Sequence, residues 1–125
     1  MIKVTNIAFT GYPVTDKQKA KDFYEGILNL KSTMDMDFPA GFWIEYDLGA
    51  GTLALTNMWK AASKTGPSIA LEVEDFPATI ETLKAKGVPF DGEPFETPVC
   101  HIGIVTDPDG NFVMIHKLKP NHPNP

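Results

Sequence analysis

Apolar positions change their spacing along this chain in a regular order. Residues 2 to 10 alternate loosely, as a strand does, and end at Gly11-Tyr12-Pro13, which reads as a bulge or kink. Thr15-Asp16-Lys17-Gln18 has the form of a capping box, with Gln18 reaching back to the helix start. Ala20, Phe23, Tyr24, Ile27 and Leu28 then recur at helical spacing, the buried stripe of an amphipathic helix. Leu30 to Phe38 is polar-rich and reads as an edge strand. Phe42 to Leu48 is a strand, Gly49-Ala50-Gly51 turns the chain back, and Thr52 to Met58 returns as another.

After a linker from Trp59 to Pro67 the order repeats. Ser68 to Glu74 is a strand. Asp75 caps a second helix, with Pro77 in its first turn, Gly87 just past its end, and Phe76, Ile80 and Leu83 as its buried stripe. Val88 to Phe95, with two prolines, is edge-like. Val99 to Thr106 and Phe112 to Lys117 are β-rich and flank Asp107-Pro-Asp-Gly-Asn111. There Pro108 sets the first corner of a type I turn, Asp107 caps it with its carboxylate, and Gly110 takes the left-handed position. The chain is therefore βαβββ written twice, with a period near 60 residues that sets Ala54 against Met114. Modules of about 1–60 and 66–118 are expected within one domain of residues 1–125, with 119–125 as a proline-rich tail in which His122 carries no role. So small a unit cannot cover its own sheet, so two must share a core. The expected fold is α+β: tandem modules curling into a cup-shaped mixed sheet with helices on the convex face.

Composition narrows the classes. An apolar content of 42% and a charged content of 22% over 125 residues suit a globular domain. The net charge of −5 argues against a nucleic-acid backbone or an anionic membrane as partner. No apolar run nears the ~20 residues of a membrane span, and Met1 to Phe9 reads as a strand, not a secretion signal. Cys100 is the only cysteine, so no internal disulfide can form, and a reducing cytoplasm is the expected location.

Val14-Thr-Asp16, Phe23-Tyr24 with Leu28 and Leu30, Leu53-Ala-Leu-Thr56, Val73-Glu-Asp75 and Asp107-Pro-Asp-Gly-Asn111 occur in order across nearly the whole chain. In this the sequence resembles the vicinal oxygen chelate superfamily, which includes glyoxalase I, extradiol dioxygenases, fosfomycin-resistance transferases and bleomycin-resistance proteins. The resemblance implies a divalent ion acting as a Lewis acid on a substrate with two neighbouring oxygens. It implies four ligands, one from the first and one from the last strand of each module, usually His or Glu. Mapped onto this chain those positions fall on Phe9, or Asn6 if a bulge intervenes, and on Ala54, Ser68 and Met114. Residues 1 to 15 hold no His, Glu, Asp or Cys. Alanine has no donor, methionine sulfur is soft, and neutral serine is poor for zinc or nickel. Neither the family's usual metal site nor any other cofactor is expected.

Strand parity then says which side chains line the cup. With Met114 inward, so are Phe112 and His116, and across the hairpin Cys100, Ile102 and Ile104. With Ala54 inward, so are Thr52, Thr56 and Met58, facing Trp43, Glu45 and Asp47, while Tyr46 and Leu48 pack under a helix. The lining is apolar and aromatic with Glu45, Cys100 and His116 as convergent polar groups, the make-up of a small-molecule pocket. Phe9, Trp43, Thr56, Cys100, Ile102 and Met114 are the expected ligand contacts, and Glu45 and His116 the candidate acid and base. Each has a plainer reading: Glu45 facing water, Cys100 as a small buried hydrophobe, His116 bonded to a carbonyl. His101 has the opposite parity and is expected to be structural or at the rim. Trp43 and Trp59 pack, or stack on a flat ligand.

Four functions remain open at this point. The first is a metal-free protein that binds a small organic molecule. The second is an enzyme with a relocated site, in which Glu45 and His116 serve as acid and base or, with Cys100, hold a displaced metal ion. The third is a scaffold whose role is pairing, a homodimer being expected in any case by resemblance. The fourth is a Cys100 nucleophile activated by His116.

Overall fold

A computed structural model of the chain describes residues 3, 5, 8–59, 68–98 and 100–120. It divides into two compact units, Met1–Ala62 and Ser63–Pro125. The first contains β1 (Thr10–Pro13), α1 (Lys17–Lys21) continued by a π-helical segment (Asp22–Ile27), β2 (Met34–Phe38), β3 (Gly41–Asp47) and β4 (Thr52–Thr56). The second contains β5 (Ile69–Glu72), α2 (Phe76–Ala85), β6 (Phe95–Glu96), β7 (Cys100–Thr106) and β8 (Phe112–Leu118). The sheets have matching orders, β1-β4-β3-β2 and β5-β8-β7-β6, with the first pair of each parallel and the rest antiparallel. The α+β reading with tandem βαβββ modules is therefore met. β4 and β8 begin 60 residues apart, at Thr52 and Phe112.

Both helices start as the cap chemistry dictates. Asp16 accepts from the Lys19 amide at 2.9 Å, and Asp75 from the Ala78 amide at 3.0 Å. The capping box does not form, because a carboxylate one residue after Thr15 takes the cap position and Gln18 turns forward to Asp22 at 2.8 Å. The first helix widens after Lys21: the Leu28 amide reaches back to the Phe23 carbonyl, and Asn29, at φ +61°, ends the run. The stripe nevertheless buries Ala20, Phe23 and Tyr24.

In the first unit the helix covers the sheet face carrying Phe42, Ile44, Tyr46, Leu53 and Leu55, all buried. Tyr24 stacks on Tyr46 at 6.2 Å, and the Tyr46 hydroxyl donates to Glu25 at 3.0 Å. Burial first, and the Glu25 carboxylate second, push the Tyr46 phenol above its ordinary value. β2 ties to the same helix through Asp35, which pairs with Lys17 at 2.7 Å and Lys21 at 2.9 Å, and Asp37, which pairs with Lys17 at 2.9 Å. In the second unit Val105, Val113, Ile115, Ile80 and Leu83 form the buried layer between sheet and α2. The hairpin turn closes as read. Asp107 accepts from the Asp109 and Asn111 amides at 2.9 and 2.8 Å and from the Asn111 side chain at 2.8 Å, and Gly110 has φ +86°.

Four element readings need correction. Gly11-Tyr12-Pro13 is not a break but the body of β1, paired with Ala54, Leu55 and Thr56. β1 lies at a sheet edge, where the missing amide of Pro13 leaves no ladder bond unmade. Residues 3, 5, 8 and 9 are outside any strand. β6 is two residues long, because Pro89 and Pro94 interrupt the stretch, which is held by a bridge from Phe90 to Val105. Leu48 is 45% exposed rather than packed under a helix, since β3 ends at Asp47 and the Leu48 amide closes the turn onto Gly51 at 2.8 Å. The Asn6 alternative, most of the linker, and the tail beyond Pro120 lie outside the described residues.

Candidate functional site

The register sorts the side chains by face within each unit. In the first, Trp43 pairs with Thr56, Glu45 with Ala54 and Asp47 with Thr52, all on the face opposite the helix. β2 adds Met36 beside Trp43 and Met34 beside Glu45, both 42% exposed, and Phe38 at the strand end. In the second unit the corresponding face carries Ile102 beside His116, Ile104 beside Met114, Thr106 beside Phe112 and Cys100 beside Leu118. The shared faces expected for Trp43, Glu45, Asp47, Thr52, Ala54 and Thr56, and for Cys100, Ile102, Ile104, Phe112, Met114 and His116, agree with this register.

Three rings gather on the first unit's open face. Phe9 meets Trp43 edge-to-face at 5.2 Å, Trp43 meets Trp59 at 5.5 Å, and Phe9 lies 6.3 Å from Trp59. At these separations the rings touch one another, so nothing aromatic fits between them; what they offer is their outward faces and edges. Phe9 and Trp59 stay 40% and 44% exposed. Trp59 lies directly on Gly11, where a Cβ would fall 2.3 Å from the indole, so only glycine admits the ring there. The Trp43 indole N–H donates to Glu45 at 2.7 Å, which fixes one carboxylate oxygen against the aromatic cluster. Thr56 is fully buried; its hydroxyl donates to the Phe42 carbonyl at 2.7 Å and accepts from the Met58 amide at 3.1 Å.

In the second unit His116 is held by a residue that the sequence reading missed. Its Nδ1 lies 2.5 Å from Glu72 Oε1, and Glu72 Oε2 accepts from the Leu118 amide at 2.8 Å. Burial works against ionising Glu72, but the Leu118 amide and His116 outweigh it and hold the carboxyl below its usual range. Ile102 and Met114 are half-buried beside this pair. Cys100 is buried, and its sulfur lies 3.1 Å from the Thr97 hydroxyl, which also accepts from the Cys100 amide. His101 faces the other way, as expected, with its ring 5.5 Å from Phe76.

The chain's fit to a divalent ion can be judged from donors alone. Within the first unit Ala54 faces Gly11, and within the second Met114 faces Ala70. Two residues before Gly11 and Ala70, just ahead of β1 and β5, stand Phe9 and Ser68. Of these six side chains only the serine hydroxyl offers an oxygen, and none is a ligand of the type zinc, nickel or iron favours. Among the described residues no group of three His, Cys, Asp or Glu could hold a metal ion.

Comparison with known proteins gives a consistent picture. The model of the Glyoxalase/Bleomycin resistance protein/Dioxygenase superfamily matches residues 6–115. YetH, an uncharacterised protein of Bacillus subtilis (strain 168), is 32% identical over 107 residues, covering 82% of this chain and 89% of YetH. TnmS3, an antibiotic binding protein from Streptomyces sp. CB03234, superposes with a TM-score of 0.79 at 24% identity, covering 95% of this chain and all of TnmS3. A glyoxalase/bleomycin resistance protein from the same organism gives 0.72 at 28% identity, covering 89% and 98%. The trypanothione-dependent glyoxalase I of Leishmania major gives 0.75 at 22% identity, covering 91% and 87%.

Proposed function

This chain belongs to the Glyoxalase/Bleomycin resistance protein/Dioxygenase superfamily, and we propose that within it the protein binds a small, flat organic molecule without a divalent ion. The observation that carries this reading is the ring cluster of Phe9, Trp43 and Trp59 on the sheet face that bears no helix of its own unit. Around it Met34, Met36, Phe38 and Met58 are each about 40% exposed. Contiguous exposed apolar surface of this kind is costly to keep in water unless something covers it. Aromatic faces stack on planar ligands, and methionines adapt to uneven outlines. Glu45, held by the Trp43 indole, is the polar group that orients the ligand. The same fold serves antibiotic binding in TnmS3, as that protein's description states.

Ile102 and Met114 are assigned as further apolar contacts on the second unit's open face. Thr56 and Cys100 support the two faces from beneath, since their polar atoms are engaged by neighbours. An enzyme built on Glu45, Cys100 and His116 has support at one point only, the carboxylate partner of His116. The lone cysteine supports a cytoplasmic location in this proposal, and the superfamily resemblance supports a homodimer. Both tryptophans, Trp43 and Trp59, lie in the first unit, which makes the test direct. Titration with a panel of planar aromatic compounds is expected to quench tryptophan emission to saturation for at least one, and Glu45→Ala is expected to weaken that binding with the fold intact. Emission indifferent to the whole panel would remove the proposal.

A further inference from the structure

We propose that Glu72 and His116 form a proton-accepting pair on the open face of the second unit, matched to the weakly acidic hydroxyl of a phenol or enol. The geometry is that of a positioned base. Glu72 binds His116 Nδ1 through one oxygen and the Leu118 amide through the other, so the carboxylate is fixed at both ends. A carboxylate on Nδ1 selects the tautomer with its proton there and leaves Nε2 as the nitrogen available to a ligand. The His116 side chain is 17% exposed, against 50% for Glu72, so the imidazole is largely out of water but reachable. The groups facing it are Glu72 from β5 and Ile102 from β7, with Met114 and Leu118 on either side along β8, while the Lys117 ammonium, paired with His101 on the other face of β8, acts on the Glu72 carboxylate through space. A hydrogen bond made in such apolar company counts for more than one in water.

The pair is not something the fold requires. In the first unit the same strand positions hold Pro13 and Thr56, and β1 still pairs with β4 in the same parallel manner. The ligand class follows from what the pair lacks. It offers one base, and after transfer one cation, but no second electrophile to stabilise an anion localised on a reacting atom. A hydroxyl whose anion is already delocalised is the acid it suits. In the transfer the O–H bond breaks with its electron pair left on oxygen, and the proton goes to Nε2. The imidazolium keeps its Nδ1 proton on Glu72, and the bound species is an imidazolium–phenolate ion pair.

This inference does not rest on the aromatic face, and 4-nitrophenol separates the two. Because nitrophenol absorbs where tryptophan emits and can quench from either unit, binding lost on Trp43→Ala reports the first unit, while phenolate absorbance reports the pair. In the wild-type protein, below the pH at which the free phenol ionises, the bound fraction is expected to carry excess phenolate absorbance. His116→Asn should remove that excess with a roughly tenfold or greater loss of affinity. Glu72→Gln, which keeps an oxygen for the Leu118 amide, should retain the fold by circular dichroism and lose most of the excess; it carries the test if His116→Asn fails to fold. Absence of binding, or an ionised fraction equal in wild type and Glu72→Gln, would overturn the proposal. Binding that is lost on Trp43→Ala and carries no excess phenolate would overturn it while leaving the aromatic face standing.

Discussion

Trp43→Ala is expected to lower affinity for any planar ligand roughly 30-fold or more, the scale of a central aromatic contact. Trp43 has two roles at once. It is the middle ring of the cluster, in contact with both Phe9 and Trp59, and its N–H holds Glu45. Truncation therefore removes the stacking surface, lets two neighbours shift, and frees the carboxylate. Trp43→Phe keeps a ring but cannot donate, so its loss should be smaller and should match that of Glu45→Ala. Calorimetric titration of the three variants with one ligand checks this ordering. A loss below threefold for Trp43→Ala would take the cluster out of the binding account.

The second large effect is on stability. Asp107→Ala is expected to cost about 2–4 kcal/mol, because it strands two backbone amides and the Asn111 side chain in a turn where both Asp107 and Asn111 are 5% exposed. Against the ~5–15 kcal/mol of a typical domain this is a large share. It falls on the hairpin that places Met114 and His116. Asp107→Asn keeps one acceptor and should cost less. Urea denaturation reads the difference as a lowered midpoint at unchanged slope. A change under about 1 kcal/mol would mean the turn closes without its carboxylate.

Much of this architecture was open to reading because its signals are local and repeated. The offset of about 60 residues between Leu53-Ala-Leu-Thr56 and the strand after Asp107-Pro-Asp-Gly-Asn111 identifies two modules. Period-two parity then places Trp43, Glu45, Ile102 and His116 on open faces, as the observed register has them. What stayed hidden depended on longer-range terms. The Glu72–His116 contact spans 44 residues through a parallel pairing, and neither local strand pattern announces it. Advancing the parallel register by two from Ala70 and Met114 would have found it. Met34, Met36 and Phe38 carry a local signal of their own: their alternation with Asp35 and Asp37 is a period-two pattern, with the carboxylates drawn to Lys17 and Lys21 and the apolar residues left on the other face. β1 runs through Gly11-Tyr12-Pro13 although Gly and Pro usually mark breaks. An edge strand tolerates them, since one side of its ladder is empty. The π-helical turn over Asp22–Ile27 has no apolar signature distinct from an ordinary helix.

The central claim is that an organic ligand is held by the protein's own side chains and not through a chelated ion. It is tested most directly by calorimetric titration of one quenching ligand against the same preparation in two states, stripped with a chelator and reloaded with nickel or zinc. Equal affinity and one-to-one stoichiometry in both states is the expected result. Binding that disappears on stripping and returns with the metal would contradict the claim.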